Sequence, residues 1–104
     1  MIDFTKALCE FIGSFVFLFV ILHSGMISGN TPAIQPFIIV SGLLVAILMF
    51  GSLTGGHFNP AVSVMLYAKG NDANVATLVG LLVYVVAQIS GGVVAQLVHK
   101  ELYH

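Results

Sequence analysis

Charge is what this chain has least of. Asp, Glu, Lys and Arg together make up 7 % of its 104 residues, and Arg is absent. An ordinary globular domain is about a quarter charged. With a net charge of −1 and no basic stripe, nothing is available to neutralise phosphates, and nucleic acid is excluded as a partner. Cysteine is equally scarce. Cys9 stands alone, so no intrachain disulfide forms. The four histidines show no metal-ligand spacing, so the sequence predicts no metal and no cofactor. No nucleophile–base pair or carboxylate pair occurs at usable spacing, which argues against an enzyme. Apolar residues dominate instead: 59 % of the chain is hydrophobic, with a mean hydropathy of +1.09. A chain this short lacks the volume to hide so much apolar surface from water. These features predict an integral, multi-pass membrane protein, with the membrane of residence left open.

The few charges fall in three clusters: Asp3, Lys6 and Glu10; Lys69 and Asp72; Lys100 and Glu101. A spanning helix needs about 20 mostly apolar residues. The uncharged stretch 73–99 holds one span, placed at Ala73–Val98. The longer stretch 11–68 holds more than one, and turn chemistry divides it. Ser24–Pro32, polar and containing Gly and Pro, reads as a loop that closes a first span at Phe4–His23. A second span runs from Pro36 to Ser52, with Pro suited to a first helical turn. The run Leu53-Thr54-Gly55-Gly56-His57-Phe58-Asn59-Pro60 is too rich in breakers to be helical. Ala61–Ala68 is apolar but reaches only about 12–14 Å, under half the hydrocarbon thickness.

A short apolar helix after a Gly-rich coil predicts a re-entrant segment at about Leu53–Ala68. Its backbone polar groups cannot face lipid, so it is buried or lines a wet cavity. A helix lying flat on the membrane surface is the competing reading. A cleavable signal peptide at the N-terminus is disfavoured by the acidic Glu10 and by the apolar segments that follow.

Asn59-Pro60-Ala61 reads as a helix start. The Asn oxygen caps an orphan amide, Pro lacks an N–H that would go unpaired, and Ala keeps the turn slim. Lys69 and Gly70 suit the other end. About half a positive charge therefore sits at the helix tip near mid-membrane. The Asn59 NH₂ is left to donate, and the carbonyls of Gly55, Gly56 and His57 offer a row of acceptors. A donor-tipped dipole beside an acceptor ladder passes neutral hydrogen-bonding solutes and rejects cations and protons.

The run Gly55-Gly56-His57-Phe58-Asn59-Pro60-Ala61-Val62-Ser63 resembles the first signature loop of the aquaporin and aquaglyceroporin family, the major intrinsic proteins. Cys9-Glu10-Phe11-Ile12-Gly13-Ser14-Phe15 is similar to that family's first-helix opening, and Tyr84-Val85-Val86-Ala87-Gln88-Ile89-Ser90-Gly91-Gly92 to its third-helix pattern. The resemblance covers nearly the whole chain but only the first half of the family's usual length. It implies an all-α membrane protein in which residues 1–104 form one domain. Three transmembrane helices and one re-entrant half-helix would make half of the inverted-repeat aquaporin-like fold.

By resemblance, Glu10 holds the re-entrant loop by accepting from amides near Gly55–Phe58; snorkelling beside Lys6 is the alternative. His57 contributes its carbonyl to the conduit, or else is satisfied in the loop core. Pro60 and Gln88 support the loop. Asn59, Gly55, Gly56, Ala61 and Val62 contact the solute. Ile39 matches the family's second-helix constriction position, with Leu43 one turn away as a spare. The family usually adds an Arg after its second Asn-Pro-Ala motif. Here Val62 follows the only such motif, so strict water selectivity is not implied. Ala87, Gly91 and Ala95 form a small-residue face for close helix contact. Phe11, Phe15, Phe17 and Phe19 face lipid or core, and His23, His99 and His104 sit at span ends facing water.

Family members join two halves upside down to one another, a design shared by other inverted repeats. Lys6 and Lys69 on one side against Lys100 on the other leave an orientation bias of a single residue. The expectation is an antiparallel homodimer, assembled to an octamer if the family's four-fold symmetry is kept, with a different chain supplying the other half as the next alternative. Such an assembly is expected to pass water and small neutral solutes such as glycerol. The competing readings are a small dual-topology transporter or ion channel, for which Glu10 is the only acidic candidate, and a non-conducting relic of a truncated gene.

Overall fold

A computed structural model describes residues 3–103 and is all-helical across them. Helix α1 spans Phe4–Ser28, α2 Gln35–Thr54, α3 Pro60–Lys69 and α4 Leu78–Tyr103. Short 3-10 turns at Pro32–Ile34 and Ala73–Val75 lead into α2 and towards α4. Among the described residues, three helices are long and apolar enough to cross a membrane. At 1.5 Å per residue the 25 residues of α1 reach about 37 Å, and the 10 of α3 only about 15 Å.

Several boundaries differ from the sequence reading. Helix α2 runs on through Leu53 and Thr54, read from the sequence as coil, because the chain breaks only at left-handed Gly55; α3 already includes Pro60, and α4 continues past Val98 to Tyr103. The first helix does not stop at His23 but continues to Ser28. Ser24 and Ser28 lie buried and return their hydroxyls to the carbonyls of Ile21 and Gly25, so neither breaks the helix. Gly29, at φ 53°, ends it. The last helix starts at Leu78 rather than Ala73, because Asp72 caps a separate 3-10 turn and Thr77 Oγ1 then takes the Gly80 amide.

Helices α1 and α4 run parallel. Lys6 reaches Asn74 just ahead of α4, Glu10 meets Gln88, and His23 meets His99. The small-residue face of α4 permits this approach: Ala87, Gly91 and Ala95 are all buried. A Cβ on Gly91 would lie 2.5 Å from the Phe11 carbonyl oxygen, closer than real contacts allow. Helix α2 closes on α1 through Gly42, where a Cβ would lie 2.7 Å from Val20 Cβ.

The core of the bundle is more polar than its surface. Glu10, Ser14, Thr54 and Ser63 are 0 % exposed, whereas Phe37, Leu48 and many other large apolar side chains face outward. That inversion suits a lipid solvent: among the described residues most buried polar side chains bond one another, Ser14 Oγ and Gln88 Oε1 excepted, and hydrocarbon meets hydrocarbon outside.

Candidate functional site: a re-entrant loop and its half-helix

The segment between α2 and α3 turns back on glycine. Gly55 (φ 87°) ends α2 in the left-handed region and Gly56 (φ 65°) continues it. Phe58 also sits at positive φ (49°), an unfavourable angle for a side-chain-bearing residue. Two contacts hold it there. Its amide donates to Glu10 Oε1 at 3.0 Å, and its buried ring fills the notch left by Gly13, where a Cβ would lie 2.1 Å from Cε1.

Asn59 then caps α3, its Oδ1 accepting from the Ala61 amide at 2.8 Å, and Pro60 occupies the first turn. Gly70 ends the helix in the left-handed conformation, one residue after Lys69. The helix tip lies at mid-bundle depth. Asn59 and Pro60 share a groove with Phe17 and Leu18 of α1 and with Gly92 and Val93 of α4, all central in their helices. The half-helix then returns towards the face that carries Lys6, Asp72 and Asn74. The segment dips into the bundle and comes back; it does not lie flat.

A continuous hydrogen-bond network fastens the loop. Glu10 Oε1 accepts from the Phe58 amide and from Gln88 Nε2 (2.8 Å), while Oε2 accepts from the Thr54 hydroxyl (2.9 Å). Gln88 Nε2 also donates to Ser63 Oγ at 2.8 Å, and Ser63 Oγ lies 2.8 Å from His57 Nδ1. His57 Nε2 lies 3.1 Å from Asp72 Oδ2. The directions are mutually consistent when His57 carries its proton on Nε2 and donates to Asp72, with Ser63 donating to Nδ1. The Gly56 amide donates to Thr54 Oγ1, and the Thr54 carbonyl at the end of α2 accepts from Tyr84 O–H (2.8 Å) and Asn74 Nδ2 (3.2 Å). Loop amides that would each cost several kcal/mol unpaired in hydrocarbon are thus satisfied by side chains.

Asp72, outside the spans, has its carboxyl below the ordinary 3.8. Burial alone pushes it up, but the Asn74 amide, the His57 ring and the Val75 amide together outweigh that effect.

Ser63, His57 and Asp72 form a serine–histidine–aspartate chain that sequence spacing did not reveal. The Ser63 hydroxyl is 0 % exposed and already takes the Gln88 amide, so no carbonyl substrate reaches it. The chain is scaffolding for the loop.

The predicted residues divide into two sets. Glu10, Gln88 and the His57 side chain are buried in the network, and Pro60 is half-buried at the tip. Gly55, Asn59 and Ala61 are exposed, with Gly56 and Val62 half-buried. Ile39 and Leu43 are both half-buried on α2, away from this network. His23, expected at water, is 8 % exposed and packed against His99, because both helices run on past it. His104 lies outside the described residues. Thr54, Ser63, Asp72 and Asn74 were not singled out from the sequence as loop partners.

The sequence model described as "Major intrinsic protein" matches residues 2–104. The chain belongs to the major intrinsic protein family. Its three spans and half-helix are one half of the aquaporin-like fold, and it is an integral, multi-pass membrane protein. Curated relatives agree. It is 37 % identical to an aquaglyceroporin of Toxoplasma gondii over 86 % of this chain and 32 % of that one. It is 37 % identical to a glycerol uptake facilitator protein-like 6 of Lactiplantibacillus plantarum, over 92 % and 43 %. With aquaporin Z of Photorhabdus laumondii the identity is 33 %, over 86 % and 40 %. The chain thus spans less than half the length of these relatives. No solved structure was matched.

Proposed function

We propose that the chain supplies one half of a membrane conduit for water and small neutral solutes such as glycerol, completed by a second copy in inverted orientation. The observation that carries this reading is the half-helix tip. Asn59 and Pro60 stop at mid-bundle, and beyond them lies an open groove of about 550 Å³ between α1 and α4. Nothing in the described residues fills it. The groove is almost wholly apolar apart from Asn59, Gln88 and Gln96, and Gln88 Oε1 is a buried acceptor without a donor among the described residues. A half-helix descending from the opposite leaflet would cover that groove, and its tip would face this one.

Roles follow from placement. Asn59 spends Oδ1 on its own helix, which leaves its NH₂ for a passing solute. Gly55, Gly56 and the His57 carbonyl supply the acceptor row. Ala61, Val62 and Ile39 give the conduit an apolar, uncharged lining, which favours glycerol as well as water. Glu10, Pro60 and Gln88 hold the loop in shape. Two opposed helix tips, each worth about half a positive charge, repel protons and cations.

Stopped-flow swelling of proteoliposomes carrying the purified chain tests this reading. Vesicles are expected to swell faster than empty ones in both water and glycerol gradients. Asn59→Asp places an anion at each tip and is expected to raise proton leak several-fold. Swelling with neither solute, or an unchanged leak in the variant, would contradict the proposal.

A further inference from the structure

At the bundle end opposite Lys6, two histidines far apart in sequence meet. His23 of α1 and His99 of α4 are 76 positions apart, yet His23 Nε2 and His99 Nδ1 stand 3.3 Å from each other. The other nitrogen of His23, Nδ1, lies 2.8 Å from the Phe19 carbonyl oxygen one turn back. A carbonyl only accepts, so His23 carries its proton on Nδ1 and presents a lone pair at Nε2. In the resting pair His99 Nδ1–H donates to that lone pair. The rings are near-perpendicular (82°), and His23 is held between Phe19 and Tyr103, with centroids 4.2 and 5.0 Å away.

The spacing has a chemical meaning beyond one hydrogen bond. Two imidazole nitrogens bound to one tetrahedral divalent ion at about 2.0–2.1 Å stand about 3.3–3.4 Å apart. The pair already has that bite. The Phe19 carbonyl does what an outer-shell partner does in a histidine metal site: it fixes the tautomer and orients the ring. Both ligands stand on long, mutually packed helices rather than on loops, so the fold fixes the distance between the two nitrogens. The pair lies one to one-and-a-half turns from the ends of α1 and α4, close to the aqueous face.

We propose that His23 and His99 chelate a divalent transition ion of the Zn²⁺ or Cu²⁺ class, clamping the C-terminal ends of α1 and α4 together. Binding needs His99 to shift its proton from Nδ1 to Nε2. The exchange leaves the pair neutral and turns both lone pairs to the ion; water completes the coordination. Neutral nitrogen donors select against Mg²⁺ and Ca²⁺, which require oxygen. The site is separate from the re-entrant loop and does not depend on what the conduit carries.

The test uses the purified full chain in detergent micelles with Cu²⁺ as probe. With one equivalent of Cu²⁺, low-temperature electron paramagnetic resonance is expected to show nitrogen modulation from two imidazoles on a single ion. His23→Gln and His99→Gln are each expected to reduce this to one or none, and to weaken Zn²⁺ binding by at least about tenfold, the lower bound for disturbing even an outer-shell partner. Zn²⁺ is expected to raise the unfolding midpoint of the unaltered chain more than that of either variant. Fewer than two imidazoles on the ion in the unaltered chain, or a spectrum unchanged by His99→Gln, would overturn the proposal. If the buried His23→Gln variant fails to fold, the unaltered chain and the half-exposed His99 variant decide the question.

Discussion

Glu10 shows how one side chain can shape a membrane segment. It is 0 % exposed and accepts from the Phe58 amide, the Gln88 amide and the Thr54 hydroxyl, which ties α1, α2, α4 and the loop to one carboxyl group. Removing it strands the Phe58 amide and one Gln88 N–H, each costing about 1–3 kcal/mol, while the Thr54 hydroxyl falls back on the Phe50 carbonyl. Glu10→Ala is therefore expected to lose about 3 kcal/mol or more, or to fail to fold, whereas Glu10→Gln keeps an acceptor for Phe58 and loses less. Thermal unfolding in detergent, followed by helical circular dichroism, separates the two; equal midpoints for Ala, Gln and the unaltered chain would contradict this role. At this scale the sequence was partly legible. An acidic residue inside an apolar run is costly enough to mark Glu10 on sight. Its partners are another matter. Thr54, Ser63 and Asn74 are small polar residues far away in the chain, and only the packed bundle shows that they converge. His23 misled for a related reason: a histidine followed by serine and glycine reads as a span end at water until the serine hydroxyls are seen returning to the helix's own carbonyls.

Among the elements, charge clusters and breakers located the spans and the half-helix, because lipid leaves so few places for a charge or a broken backbone. Helix ends were less legible, since Ser and Thr serve equally in caps and in buried helix turns. The return from α3 to α4 is the element most open to pH. Asp72 bonds the Asn74 amide and the His57 ring, and His57 passes the constraint through Ser63 to the loop. The Asp72 carboxyl is depressed in the folded chain below its ordinary 3.8. A depressed acid contributes stability that is present above its unfolded value and is lost as pH falls through the folded value. The unfolding midpoint is therefore expected to fall with acidification below about pH 4. Asp72→Asn, which cannot titrate, is expected to be less stable at neutral pH and to lose part of that acid dependence. An identical pH profile in the variant would show that the link carries no stability.

As a whole the molecule is 46 Å long and 20 Å across its thinnest dimension, with a polar interior and an apolar exterior. The parallel course of α1 and α4 puts Lys6 and Lys100 at opposite ends, and with Lys69 on the Lys6 side the lysine bias between the two faces is a single residue. The half-helix stops at mid-bundle before an open groove, which the same element from an inverted copy would complete in the proposed pair. The antiparallel pair is thus the centre of the account, and it is reached most directly by orientation. Asn30, exposed between α1 and α2, offers a position for a single reporter cysteine, since Cys9 is buried. In sealed proteoliposomes that swell with glycerol, a membrane-impermeant thiol reagent is expected to label about half of the Asn30→Cys chains, and all of them after permeabilisation. Labelling of all the chains or of none before permeabilisation, in vesicles that still conduct, would contradict it.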